Sequence, residues 1–188
     1  IWTTDESIPA HGIRKIYTMK GTAGIEFTWA NLDGTQKTAL QTQQRLNWIR
    51  GDQSQEKQNG GALRNRSKLL GDVVNSDPLL VDGVLYVGAN DGMLHAFDAE
   101  TGVEKFAYIP KAVIPNLSML SDPAYMHQYY VDGSPIAQTF DDGGTSKTIL
   151  LGTTGAGGRS IFALDITYPN SFGASNVLWE FTSADSAD

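Results

Sequence analysis

Cysteine is missing altogether from this sequence of 188 residues. Its absence rules out a disulfide framework and any thiolate nucleophile or metal ligand, yet it leaves export open, because secreted bacterial domains often lack disulfides. Charge is scarce as well: only 19% of residues are charged and the formal net charge is −7. Without clustered lysine and arginine, the chain offers no broad electrostatic surface to nucleic acid or anionic lipid. No apolar run is long enough to span a bilayer, and no signal peptide opens the sequence. Neither nucleic-acid binding nor direct membrane insertion is therefore expected. Ile1 stands where a start methionine would, so the sequence reads as a mature or excised piece. Catalytic signatures are also lacking. There is no Gly-x-Ser-x-Gly and no His-Glu-x-x-His, and His11, His95 and His127 are too scattered to spell a zinc set.

What remains is the composition of a β protein with a core. Hydrophobic residues make up 40%, and 20 glycines accompany four tryptophans and seven tyrosines. Such a mix favours short strands joined by tight turns. Residues 13–19 (IRKIYTM) and 25–29 (IEFTW) alternate as a strand pair. Residues 35–49 (TQKTALQTQQRLNWI) switch to helical spacing, with Thr35 as N-cap and Gly51 closing the helix. Residues 53–66 read as a polar loop.

From residue 69 the pattern becomes regular. Residues 73–81 form a strand interrupted by Pro78, and residues 84–88, 93–98 and 103–109 supply three more. The turns between them are Asn90-Asp91-Gly92, where Gly92 takes the positive φ that such a turn requires, and 99–102. Asp98 ends a strand where its carboxylate can accept backbone N–H groups across the next turn. Residues 110–129 are an insertion with a short helix at 113–120. The meander then repeats: 133–136 echoes 76–79, 149–152 echoes 85–88, 162–165 echoes 95–98, and 178–181 echoes 105–108. Phe106 and Trp179 occupy the positions where an aromatic would pack between neighbouring units.

A repeated four-stranded meander is the unit of a β-propeller, whose ring takes roughly four to eight blades. The fold class expected is therefore mainly β: a partial β-propeller of two four-stranded antiparallel blades, with an N-terminal strand pair and one helix. The chain divides into residues 1–68 (strands, helix and loop), 69–109 (first blade), 110–130 (insertion) and 131–188 (second blade and the start of the next, at 183–188). All belong to one larger propeller domain.

The run 85–102 (LYVGANDGMLHAFDAETG) resembles the repeat of quinoprotein-type propellers, built for pyrroloquinoline quinone (PQQ). The wider context is more specific. Residues 50–53 (RGDQ), 63–76 (LRNRSKLLGDVVNS), 88–97 (GANDGMLHAF), 130–135 (YVDGSP), 155–159 (GAGGR) and 163–167 (ALDIT) resemble, in order, the C-terminal region of PilC/PilY-type pilus-tip proteins. That resemblance implies a non-enzymatic module of type IV pilus biogenesis and tip adhesion. It implies support of pilus assembly, surface attachment and twitching motility through protein–protein contacts. The implied partners are minor pilins and the pilus machinery, with a host-cell or surface receptor. The implied location is the pilus tip, cell surface or outer membrane of a Gram-negative bacterium.

Some members bind calcium in an Asp-rich loop, which the resemblance places beyond Asp188; no PQQ is expected. Two other readings share the repeat. One is a fragment of a PQQ-dependent dehydrogenase, some members of which use a vicinal disulfide that this chain cannot form. The other is an outer-membrane assembly scaffold with more regular blades.

Candidate sites are few. A hard cation wants several closely spaced oxygens, and the nearest approach is Asp141 and Asp142 before Gly143-Gly144, with Asn90-Asp91-Gly92 second. The simpler reading of both is a polar hairpin tip. Arg50-Gly51-Asp52 is the integrin-recognition tripeptide and an adhesion candidate, but it also falls where the helix 35–49 ends. Arg64, Arg66 and Lys68 are read as pairing with Asp72 or Glu56. Residues 155–159 lack the lysine and the following helix of a phosphate-binding loop and are read as a flexible hairpin.

Overall fold

The structure, a computed structural model, describes residues 2–185. The elements run α1 (Thr4–Ser7), β1 (Ile16–Lys20), β2 (Ala23–Glu26), α2 (Gly34–Leu40), α3 (Gln43–Ile49), β3 (Leu79–Val81), β4 (Val84–Ala89), β5 (Met93–Asp98), β6 (Glu104–Tyr108), α4 (Ile114–Leu120), β7 (Ile136–Asp142), β8 (Thr145–Thr153), β9 (Ser160–Asp165) and β10 (Val177–Thr182). Strands β3 to β6 and β7 to β10 are the two expected antiparallel meanders. The N-terminal pair does not stand apart. β1 joins β6 in parallel, so the first sheet has six strands in the order β2-β1-β6-β5-β4-β3, beside a second of order β10-β9-β8-β7. Of the stretch 183–188, expected to begin another blade, residues 186–188 lie outside the described residues.

Three local expectations give way to side-chain chemistry. The helix predicted over 35–49 is two helices. Gln41 turns to φ 67° between them, and the Thr42 hydroxyl accepts from Arg45 N at 3.2 Å, starting α3 afresh. The first helix is capped by Asp33 rather than Thr35. Asp33 Oδ1 accepts from Gln36 N at 2.8 Å, and Gln36 Oε1 accepts from Asp33 N at 3.1 Å, a reciprocal pair that a residue already inside the helix cannot make. The strand predicted over 73–81 shrinks to β3. Residues 75–77 instead cross between the sheets, with Asn75 N and Nδ2 donating to Asp132 and Asp77 N to Ser134 Oγ.

The ladder corrects one repeat correspondence. Tyr86 pairs with Leu79 and Ala96, and Leu151 with Ile136 and Ala163, so Tyr86 matches Leu151 rather than Leu150. Aligning Gly88 on Gly152 had shifted this strand by one residue, which exchanges its faces. The other correspondences hold: Ala96 and Ala163 pair with Phe106 and Trp179, and Leu94 and Ile161 with Tyr108 and Phe181.

The sheets stack face to face. Tyr86, Leu94, Ala96, Phe106 and Tyr108 of the first meet Leu150, Phe162, Leu164 and Val177 of the second. Phe172, in the β9–β10 connection, stacks on Phe106 with ring centroids 3.7 Å apart. A second core gathers Phe27, Leu40, Leu46, Trp48 and Ile49 of the N-terminal third with Leu117 of α4 and with Met93 and Ala107 on the opposite face of the first sheet. One side of the first blade is thus covered by its neighbour blade and the other by the N-terminal segment.

Candidate interaction surface

The second blade buries one face and presents the other. Ile136 and Phe140 on β7, Ile149 and Leu151 on β8, Ile161 on β9, and Trp179 and Phe181 on β10 share this outward face through the cross-strand register. The β7–β8 part of this face forms a shallow depression of about 260 Å³ lined by Ile136, Ala137, Gln138, Phe140, Ile149 and Leu151. The repeat supplies its own control. Phe106 and Tyr108, at the matching positions of the first blade, are 0% exposed, whereas Trp179 and Phe181 are 37% and 59% exposed. The same sheet face is sealed where a blade follows it and open where, among the described residues, none does. An aromatic-rich patch of this kind on a sheet face marks an association surface.

Arg50-Gly51-Asp52 ends α3. Gly51 N donates to Trp48 O and Asp52 N to Asn47 O, both at 2.9 Å, with Gly51 at φ 115°: a glycine-closed helix terminus in the Schellman pattern. The Arg50 guanidinium points inward. It is buried and donates to the carbonyls of Phe27, His11 and Arg14 at 2.8–3.0 Å. Burial, with the Arg14 charge beside it, lowers its pKa. Asp52 Oδ1 accepts from Ser54 N at 2.9 Å. The tripeptide is thus a helix end with its cation committed to the interior.

Asp141 and Asp142 do not converge on one point. They are consecutive residues of β7 and so lie on opposite faces. Asp141 Oδ1 accepts from Gly144 N at 2.7 Å, and Asp142 pairs with Lys147 Nζ at 2.5 Å. This donor set does not fit a calcium ion, and no cluster of three or more acidic, His or Cys side chains is placed to hold a metal among the described residues. The basic cluster is structural. Arg66 pairs with the fully buried Glu56 at 2.8 Å and lies 3.6 Å over the Trp48 ring, while Arg64 lies over both Trp48 and Tyr125. Asp72, the other acid considered for it, is bonded by His127 and Asn90. The segment 155–159 is not a free hairpin: a Cβ at Gly157 would come within 1.9 Å of Tyr130 O, so the loop lies tight on the backbone of 130–133.

Two arrangements have no clear signature in the sequence. His95 sits wholly buried between Glu104 and Asp91, and Arg14 reaches Glu104 from the N-terminal segment at 2.6 Å. Burial alone would raise the Glu104 pKa. The hydrogen bond from His95 and the Arg14 charge outweigh it and hold the carboxyl down to about 2. Elsewhere Glu180 on β10 accepts from Tyr108 Oη, Lys111 N, Ala112 N and Ser160 Oγ at 2.7–3.0 Å. The only hint in sequence is an acidic residue flanked by Trp179 and Phe181 in an apolar strand, which marks an inward-facing charge; three of its four partners lie 68 to 72 positions away.

Comparison with known proteins agrees with this architecture. Residues 80–188 match the family described as the PilY1 beta-propeller domain. A type IV pilus biogenesis factor PilY1 homolog of Xylella fastidiosa (strain Temecula1) is 41% identical over 95% of this chain and 17% of its own length. Type IV pilus biogenesis factor PilY1 of Pseudomonas aeruginosa (strain UCBPP-PA14) is 34% identical over 98% of the chain and 19% of its own length. The crystal structure of the Pseudomonas aeruginosa PilY1 C-terminal domain matches with 43% identity and a TM-score of 0.42, covering 56% of this chain and 19% of that one. The chain thus spans under a fifth of these curated relatives. With more than half its length matched, it belongs to the PilY1 β-propeller domain family.

Proposed function

We propose that this chain is a two-blade portion of the propeller of a type IV pilus biogenesis factor, and that it works through protein–protein contacts rather than catalysis. Its role is to support pilus assembly, surface attachment and twitching motility at the pilus tip or cell surface of a Gram-negative bacterium. Its partners are minor pilins and the pilus machinery, with a surface or host-cell receptor for the adhesive role. Any calcium belongs to another part of the parent domain.

The observation that carries the reading is the outward face of the second blade. Ile136, Phe140, Ile161, Trp179 and Phe181 offer apolar area for a further sheet of the parent propeller and no convergent polar groups of the kind chemistry requires. Replacing Trp179 and Phe181 together by Asp in the full-length parent is expected to abolish surface piliation and co-purification with minor pilins. Wild-type levels of both would remove the proposal. The enzymatic alternative is tested separately: saturable PQQ uptake with dye-linked alcohol oxidation would replace this reading with that of a dehydrogenase.

A further inference from the structure

We infer that His95 is held as a doubly protonated imidazolium, and that it is the keystone of a charged ladder latching the N-terminal segment and the segment 67–72 onto the first blade. The argument begins with geometry. Nδ1 of His95 lies 2.8 Å from Glu104 Oε1, and Nε2 lies 3.1 Å from both carboxylate oxygens of Asp91. A neutral imidazole has one N–H and one lone pair. Either tautomer would point that lone pair at carboxylate oxygens, on a ring that is itself 0% exposed. Only the imidazolium donates at both ends. Glu104 is itself tied to Arg14, whose Nε and Nη2 donate to its two oxygens at 2.7 and 2.6 Å, the fork geometry of a strong charge-assisted pair.

The ladder runs on in both directions. Arg14 Nη1 donates to Arg50 O at 3.0 Å, and Arg50 returns a bond to Arg14 O and another to Phe27 O. At the other end, Asp91 Oδ2 accepts from Gly71 N at 2.9 Å and Oδ1 from Met93 N at 3.2 Å. One line of polar contacts thus ties the α3 terminus, the N-terminal segment, β6, β5 and the segment 67–72. The charged groups facing His95 are Asp91 from the β4–β5 turn and Glu104 from β6. Arg14 stands behind Glu104, Arg50 behind Arg14, and Arg66 acts on Asp91 from the 63–72 segment. The remaining wall is the ring of Phe97, stacked at 5.4 Å.

Burial alone would lower the His95 pKa, but the charge of Asp91 and the bonds the ring donates to both carboxylates raise it from 6.5 to about 9. A raised pKa stabilises the fold fully below the unfolded value and loses that contribution as pH rises through the folded value. The window is therefore about 6.5 to about 9, within which the His95 share of the folding constant falls up to tenfold per pH unit.

The test is nitrogen-15 NMR of the imidazole in this chain, together with the variant His95→Gln. Two protonated ring nitrogens at pH 7 and a titration midpoint near 9 are expected. A neutral tautomer at pH 7, or a midpoint near 6.5, overturns the inference. In hydrogen exchange at pH 7, His95→Gln is expected to speed exchange at least tenfold in both 10–14 and 67–72 while leaving the β7–β8 hairpin unchanged. Unchanged exchange in those two segments overturns the latch. Should the variant not fold, the wild-type NMR measurement still decides the protonation state on which the latch depends.

Discussion

Arg50 shows how a short surface-type motif can be spent on the interior. Its guanidinium joins three carbonyls from three separate positions in the first 27 residues, so removing it leaves the Phe27, His11 and Arg14 carbonyls without that donor. Arg50→Ala is expected to lower the unfolding free energy by roughly 3 kcal/mol, the scale of breaking a buried charged network, whereas Asp52→Ala, which loses one exposed turn bond, costs about 1 kcal/mol or less. Urea unfolding of the two variants checks the difference. Near-equal losses would show that the tripeptide is not used in this way.

Among elements, the helices depend on their caps and the strands on their neighbours. α2 and α3 are seven residues each, too short to persist on propensity alone. Asp33→Ala removes the side-chain half of the Asp33–Gln36 exchange, leaving the backbone N–H of residue 33 to Gln36 Oε1, and is expected to cost about 1 kcal/mol, seen as a lower midpoint in thermal unfolding; Thr35→Ala is expected to leave that midpoint within error. Helical spacing across 35–49 could reveal the apolar face but not the break at Gln41, because a hydroxyl cap at Thr42 and a helix interior look alike in periodicity. The meander strands were legible for the opposite reason. β-branched and aromatic runs between Asn-Asp-Gly and Thr-Gly turns admit few alternatives, and Asp98 accepts from Glu100 N and Thr101 N as its place before a turn implies. The crossing at 73–78 misled because Val73 and Val74 read as a strand, while Asn75 and Asp77 bind partners across the sheet junction and the Ser76 hydroxyl accepts from Gly88 N.

Across the described residues, the stack is asymmetric: the N-terminal segment closes one side, and among them nothing covers the outward face of the second blade. Phe106 packs between the two sheets as its place in the repeat implies, and Trp179 holds the matching register position, which no sheet covers among the described residues. The buried ladder and Glu180 were not legible, because Arg14 reaches Glu104 across 90 positions and Glu180 reaches Tyr108, Lys111 and Ala112 across 68 to 72, and no local pattern records such pairs. The uncovered face is expected to make this chain self-associate in isolation. Sedimentation velocity should show concentration-dependent dimers for the wild type and monomers for a variant carrying Ile136→Asp and Phe181→Asp. Monomers at every concentration in the wild type would argue that the face is too small to drive association.

Glu180 has a consequence for the order in which the chain matures. Chains leave the ribosome from the N-terminus, and Lys111 and Ala112, at the entry to α4, must wait for a carboxylate made 68 to 69 residues later. Until then these amides and the Tyr108 hydroxyl lack their acceptor, so the insertion cannot settle beside the first blade. The polar anchor of the insertion on the first blade is therefore completed only once β10 of the second blade has been made.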